Sequence, residues 1–306
     1  MVISAGEGLM GLGQHRGSDQ PPKEQRQERA TQKSGERRLQ RSGLGLTSGM
    51  GVTVTVLGSG SKGNAAVISS GRTRLLIDCG FSRREMTRRL QVCGMEPDAL
   101  DAILITHEHS DHVAGLPRMA KGMAAPVFIN DGTRSAMGAA GEALDRAESF
   151  TTGARFAVGD IEVDPFTIPH DAADPVGFVF RAEGVRIVFV TDLGYLSANV
   201  QDRLRGADCM VIESNHDLEM LKGGGYPWEL KQRVLSRVGH LSNDSLAAYL
   251  ADGFDGAAAH VVLAHLSENN NLPGLARLAA ERALAGRLFA PTLHVASQTE
   301  PLEIVF

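Results

Sequence analysis

Cysteine is scarce in this chain. Three occur in 306 residues, at Cys79, Cys93 and Cys209. Their odd number and the lack of any C-x-x-C pair exclude a disulfide framework and a thiolate zinc site. Cys79 and Cys93 read as small buried hydrophobes, and the usage fits a reducing compartment, the cytoplasm. Long apolar runs are missing too. None approaches the roughly 20 residues that cross a bilayer, so a soluble protein with no membrane partner is expected. The N-terminus has no hydrophobic segment of the kind a signal peptide needs. Basic charge is not in excess: the formal net charge is −5. The first fifty residues carry eight basic and five acidic side chains, a net of +3, which leaves −8 on the rest. A body of that charge has no general pull toward phosphates, so any nucleic-acid footprint has to be local.

Those first fifty residues are rich in Gly, Gln, Arg and Ser, include Pro21-Pro22 and show no periodic apolar pattern. They read as a disordered tail, residues 1–50, ahead of a folded domain at 51–306. Met50 stands just before the first strand pattern, so the tail also fits a mis-assigned start codon; a nucleic-acid-binding arm is the functional alternative. The remainder, within a chain that is 42% hydrophobic, is long enough for one large core or two small ones.

The chemistry concentrates in Thr106-His107-Glu108-His109-Ser110-Asp111-His112, directly after the apolar run Ala102-Ile103-Leu104-Ile105. Such a run reads as a buried strand, so the cluster lies where a strand empties into a loop. Neutral imidazoles beside a carboxylate suit zinc, with manganese or iron as second choices. A polar helix N-terminus capped by Ser110 or Asp111 accounts for the capping residue but not for three histidines. His107 and His109 are two apart in extended chain and face one side, whereas the neighbours Asp111 and His112 diverge as the chain turns into a helix. One pair can therefore serve one metal and the second pair another. Three more strand-like runs each end in a ligand type. His170 follows Phe166-Thr167-Ile168-Pro169, Asp192 follows the run from Arg186 to Thr191, and His265 follows His260-Val261-Val262-Leu263-Ala264. One histidine beside an apolar run is usually a core residue; four strand ends delivering ligands point to a joint site.

Strand-like segments at 52–57, 65–70, 73–78, 102–106 and 126–129 precede a helical stretch around 132–147. More strands follow at 155–158, 161–166, 176–182 and 185–191. Helices near 196–205, 228–237, 242–252 and 274–286 then alternate with strands near 208–213, 258–263 and 302–306. The capping box Ser82-x-x-Glu85 opens a helix that closes near Gly94. Two mixed sheets covered by helices, an α/β or α+β class, fit this order.

With these residues in view, the chain resembles the metallo-β-lactamase-fold hydrolases. The loop Gly58-Ser59-Gly60-Ser61-Lys62-Gly63-Asn64, the segments Ile168-Pro169-His170-Asp171-Ala172 and Glu213-Ser214-Asn215-His216-Asp217, Gly239-His240-Leu241-Ser242-Asn243 and Ala264-His265-Leu266-Ser267 are similar to the YycJ/WalJ-type members. The likeness spans about residues 52–306. It implies an αββα four-layer sandwich and two divalent metals per chain. It places His107, His109 and His170 on the first metal, Asp111, His112 and His265 on the second, and Asp192 between them. It further implies 5′→3′ DNA exonuclease activity through a metal-bridging hydroxide, with Asp111 taking the proton of the attacking water.

Four further positions are candidates behind the ligands or at the substrate: Asp78, His216, Ser242 and Asn243. Asp78 can orient a ligand histidine or cap a strand end. His240 suits a phosphate oxygen or a leaving alkoxide, as does a comparable histidine in ribonuclease Z, with a helix cap as the alternative. His216 is equally readable as a structural hydrogen-bonding residue. Two basic clusters could supply a footprint for nucleic acid. Arg83, Arg84, Arg88 and Arg89 read as a solvated face with Glu85 pairing Arg89. Lys231, Arg233 and Arg237 lie nearer the site, beside Tyr226 and Trp228. Trp228 is expected in the core rather than as a stacking surface. Large nucleases with an inserted domain are excluded, because 73 positions separate Asp192 from His265. A small-molecule hydrolase (thioesterase, lactonase or cyclic phosphodiesterase) would use the same metals and remains the other reading; a non-catalytic protein would not need every ligand.

Overall fold

The computed structural model describes residues 51–306, so the expectation for the tail lies outside the described residues. Fourteen strands are present there. β1 (Thr53–Gly58), β2 (Ala65–Ser69), β3 (Arg74–Ile77), β4 (Ala102–Leu104), β5 (Val127–Ile129) and β6 (Ala147–Ser149) join β14 (Leu302–Val305) in one sheet, in the order β14-β1-β2-β3-β4-β5-β6. β7 (Phe156–Val158), β8 (Ile161–Thr167), β9 (Val176–Ala182), β10 (Val185–Val190), β11 (Cys209–Glu213), β12 (His260–Ala264) and β13 (Thr292–Val295) form the second, ordered β13-β12-β11-β10-β9-β8-β7.

The period-two alternation of the strands builds the layers. Leu75 and Ile77 of β3 enter the cluster between the sheets, together with Phe178 and Phe180 of β9 and Val211 of β11. The intervening Leu76 faces outward onto α1 (Arg83–Val92), against Met86 and Leu90. On the other sheet Met210 and Ile212 point outward, onto Leu246 and Leu250 of a helix at Asn243–Asp252 and Ala276 and Ala280 of one at Pro273–Leu284. Two sheets with helices on both outer faces make the four-layer αββα sandwich. Half of the capping box forms: Ser82 accepts from Glu85 N, but the Glu85 carboxylate accepts from Arg88 and Arg89 instead of returning to Ser82 N. None of the described helices is long and apolar enough to cross a membrane.

Several local expectations differ from what forms. The stretch around 132–147 divides into helices at Asp131–Ala136 and Ala139–Glu142 and the edge strand β6, because Gly138 adopts φ 56° and breaks the helix. Trp228 is not in the core: it is 63% exposed at the start of a helix at Trp228–Val234, whose inward residue is Val234. The α1 arginines are only partly a solvated face. Arg89 pairs with Glu85 at 2.8 Å as anticipated, but it is buried. It donates to Leu57 O and Gln298 O and lies over the Phe81 ring, tying the helix to the sheet.

What positions the site is the parallel part of each sheet. β3, β4 and β5 run parallel, as do β10, β11, β12 and β13. Their carboxyl ends open at one edge, where the side chains that follow them meet.

Candidate metal centre

At the carboxyl ends of β3, β10 and β12 the chain turns sharply. Asp78, Asp192 and His265 have φ of 58°, 61° and 54°. Left-handed backbone costs a non-glycine residue of order 1–3 kcal/mol and persists only where its surroundings impose it. Here Asp78 N donates to Leu104 O at 2.9 Å, and His265 N to Ser59 Oγ at 2.8 Å. The loop after β3 also packs against the motif. Gly80 N donates to Asn64 O at 3.0 Å, Asn64 N donates to Asp111 O at 2.8 Å, and a Cβ on Gly80 would stand 1.7 Å from Asp111 O, so only glycine fits. Asp111 and His112 lie in a helix at Ser110–Val113, one turn long, and His109 caps it.

The histidines are held by one nitrogen each, which aims the other into the site. His107 Nδ1 donates to Thr106 Oγ1 at 3.0 Å, and His170 Nδ1 to Gly239 O at 3.2 Å. His107 Nε2 then has no protein partner and His170 Nε2 stands 3.1 Å from His109 Nδ1. His112 Nδ1 donates to Asp78 Oδ2 at 2.7 Å, while Asp78 Oδ1 accepts from Thr106 N. Asp78 thus orients a histidine instead of merely ending a strand. The far nitrogen, His112 Nε2, is 3.2 Å from Asp192 Oδ2 and 3.4 Å from Asp111 Oδ2, and His265 Nε2 is 3.4 Å from the same Asp111 oxygen.

Three overlapping donor groups result, each with atoms within 4.8 Å of one another: His107, His109 and His170; Asp111, His112, Asp192 and His265; and Asp192, Glu213, His240 and His265. The first two contain the ligands that the resemblance implies for two metals, and Asp192 falls in the second and third groups rather than between the first and second. The electrostatics call for cations. Asp78, Asp192 and Glu213 are at most 2% exposed and share one site. Burial opposes ionisation of Asp192, but the charges of His265 and His112 hold it well below the usual carboxylate range. Burial likewise works against charge on His112 and His265, and the carboxylates, Asp192 first, hold both well above an ordinary imidazole. His107, by contrast, is pushed well down by burial and by the charge of His112. Unpartnered His107 Nε2, imidazoles in one set and buried carboxylates in the other fit divalent transition metals.

Glu213 is the functional residue that the sequence reading passed over. Wholly buried at the end of β11, it accepts from His240 Nδ1 at 2.8 Å and His265 Nδ1 at 2.9 Å through Oε1. Its Oε2 takes the N–H groups of Leu193 and Leu241. The signal was available: β11 is another apolar run that ends in an acid. Burial opposes the ionised form, but His240 and His265 outweigh it and keep Glu213 at about 2. Asn64, quoted only as part of a loop, donates to Asp111 Oδ2 at 3.1 Å.

His240 lies between His170 and His265, with ring centroids 5.3 Å from each. Glu213 fixes its tautomer and leaves Nε2 for the cavity. Burial disfavours its charge, but Glu213 raises it above the ordinary value. It does not cap the following helix. Ser242 does, accepting from Ser245 N, and Asn243 is buried in a side-chain network with Ser214 and Asn271. Neither lines the cavity beside the ligand side chains. His216 is buried with both ring nitrogens unpartnered, so its side chain makes no structural hydrogen bond within the described residues. Burial pushes it down to about 4.

One open cavity of about 330 Å³ adjoins both sets, lined by His109, Asp111, Asp192, His240 and His265 together with Tyr226, Leu230 and Arg233.

A family model described as Beta-lactamase superfamily domain matches residues 73–266. The chain belongs to the metallo-β-lactamase fold family, as the sandwich and the clustered ligands indicate. Within it the chain is 38% identical over 246 residues to Exodeoxyribonuclease YycJ of Bacillus anthracis, covering 78% of this chain and 92% of that one. It is 36% identical over 243 residues to Exodeoxyribonuclease WalJ of Streptococcus pneumoniae, covering 78% and 90%. Among solved structures, zinc-bound PqqB from Methylobacterium extorquens matches with a TM-score of 0.65 at 19% identity, over 82% of this chain and all of that one. The short form of human tRNase Z gives 0.55 at 17%, over 82% and 98%. At those identities the likeness is one of fold.

Proposed function

We propose that the protein is a metal-dependent phosphodiesterase that degrades DNA, an exonuclease working from the 5′ end. The observation that carries this reading is the placement of His240. A histidine held in one tautomer by buried Glu213, facing the cavity that both donor sets share, can supply the proton that the leaving alkoxide of a phosphodiester needs and the leaving thiolate of a thioester does not. Relatives of 36–38% identity named as exodeoxyribonucleases support the same choice.

The two sets would hold zinc, with manganese or iron as alternatives; when bound, such ions lower the pKa of water and stabilise charge on a phosphoryl oxygen. The chain's own residues do the rest. Asp111, oriented by Asn64, stands at the cavity wall where it can take a proton from an attacking water. His240, kept protonated by Glu213, delivers a proton from Nε2 to the leaving oxygen. The cavity of about 330 Å³ is at the small end of ligand pockets, roughly 300–1,000 Å³, and suits one nucleotide at a time. Residues 51–306 would suffice for this, acting in the cytoplasm with the described cysteines as free thiols.

His240→Ala tests the assignment. It should keep both metals and the fold and lower turnover of DNA by about 10²–10⁴-fold, the usual scale for general acid–base groups. A nitrophenyl phosphodiester, whose leaving group needs no proton, should lose much less. Cleavage of DNA at the wild-type rate would sink the assignment.

A further inference from the structure

The sequence offers three cations near the site, Lys231, Arg233 and Arg237, and the fold treats them differently. Lys231 Nζ donates to Lys222 O at 2.7 Å, outside the cavity. Arg237 lies over the Tyr195 ring, its guanidinium carbon 4.5 Å from the centroid. Arg233 alone among the described lysines and arginines lines the cavity. Its Nε donates to Asp171 Oδ2. Asp171 follows ligand His170 and turns its other oxygen toward the metal set, 3.6 Å from His170 Nε2 and 3.9 Å from His109 Nε2.

This pairing fixes the guanidinium by one edge. The two terminal nitrogens, Nη1 and Nη2, have no hydrogen-bond partner among the described residues, and the side chain is 53% exposed. A planar fork held at its Nε and open at its end is the geometry that recognises two oxygens of one phosphate. Arg233 and His240 line the same cavity as separate groups, Arg233 held by Asp171 and His240 by Glu213. The body of the protein is acidic, and no other arginine or lysine of the described residues lines this wall.

We propose that Arg233, positioned by Asp171, is a phosphate subsite that binds the backbone phosphate next to the scissile one. The inference rests on the phosphodiesterase reading of the same cavity and adds how a strand, rather than a small phosphodiester, is recognised. Its substrate class is a polynucleotide with at least two consecutive phosphates. Nitrophenyl phosphodiesters, which have one, bypass it.

Binding measures this without relying on cleavage. A short single-stranded oligonucleotide is titrated with wild type, Arg233→Met and Arg233→Lys by fluorescence anisotropy. Metal content is measured for each. A second series carries one neutral methylphosphonate linkage, moved along the 5′ end. Arg233→Met should weaken binding about 10- to 100-fold, the scale of a charge-assisted bidentate contact. Arg233→Lys, which keeps the charge and loses the fork, should fall between. Neutralising one particular linkage should weaken wild-type binding equally, and Arg233→Met should bind that oligonucleotide no worse than wild type does. In cleavage the rise in KM for DNA should exceed the fall in kcat. Unaltered binding by Arg233→Met, or penalties that simply multiply at every linkage, would overturn the subsite. A wild-type protein that shows the coupling in binding yet leaves DNA intact would instead contradict the nuclease reading and leave the subsite standing.

Discussion

Glu213 joins the two histidines that matter most to the proposed chemistry, and its replacement tests that junction. Four donors converge on it: the Nδ1–H groups of His240 and His265 and the backbone N–H groups of Leu193 and Leu241, at 2.8 to 3.2 Å. In Glu213→Ala all four lose their acceptor in a place with no exposed surface. Breaking a buried, charged hydrogen-bonded group costs about 3–5 kcal/mol, part of it recovered because His265 Nδ1 still has Asp192 Oδ1 at 3.0 Å. A loss near 4 kcal/mol is therefore expected in urea unfolding of the metal-free protein. Glu213→Gln is more informative. Its oxygen can satisfy the two backbone groups, but its amide then offers N–H toward both imidazoles, and at least one ring must switch tautomer. Metal affinity or turnover should fall about 10- to 100-fold, as for other partners that orient ligands. The pH profile carries the sign. Glu213 raises the pKa of His240, so its charge keeps His240 protonated to higher pH. Removing that charge moves the descending, alkaline limb of kcat for DNA to lower pH. A Glu213→Gln enzyme with wild-type rate and an unmoved alkaline limb would refute the reasoning.

Three further outcomes are expected. The protein should bind two transition-metal ions per chain, and His112→Ala should bind one by elemental analysis; Asp78→Asn, which disturbs the hydrogen bonds to both His112 and Thr106, should weaken affinity about 10- to 100-fold in chelator competition. Two ions retained in His112→Ala would count against the division of ligands. His216 is held down to about 4 by burial, so between pH 6.5 and 4 the unfolded chain takes up a proton that the folded chain refuses. Stability of the metal-free protein should drop by roughly 3 kcal/mol as pH falls through that window, and His216→Phe should remove most of the slope; an identical slope in the variant would show that other groups cause it. A version that starts at Met50 should keep the fold, both metals and most activity, since the preceding residues offer no core-forming pattern; loss of metal on truncation would show otherwise.

The candidate site was legible because it is built at strand ends. A buried strand needs an unbroken apolar run, so a histidine or acid just past one is marked by contrast, and this contrast marks His107, His170, Asp192 and His265. The strand range 176–182 was read without error for a related reason: Val176, Phe178, Phe180 and Ala182 alternate cleanly with less apolar neighbours. Glu213 escaped although the same rule marks it, since an acid inside a hydrophobic sandwich reads as a strand terminator until its two imidazole partners are in view. Trp228 was misplaced because a lone tryptophan beside prolines and charges carries no periodicity, and residue type alone favours burial. β6 and β13 were missed for want of length: Ala147–Ser149 is three residues without an apolar pattern, and Thr292–Val295 has no buried residue. The roles of Arg233 and Arg237 could not be separated in the sequence, where they are four residues apart and alike; only the fold turns one to the cavity and the other to Tyr195.

The most direct measurement is the product pattern from metal-loaded protein given DNA labelled at the 5′ or the 3′ end, single- and double-stranded, beside RNA, a thioester and a β-lactam. A 5′ exonuclease built on two metals with His240 as acid releases labelled mononucleotide from the 5′ label at once, shortens the 3′-labelled strand in steps and turns over the small substrates poorly. Rapid hydrolysis of the thioester or the β-lactam with both DNA labels left on full-length strands would contradict the account.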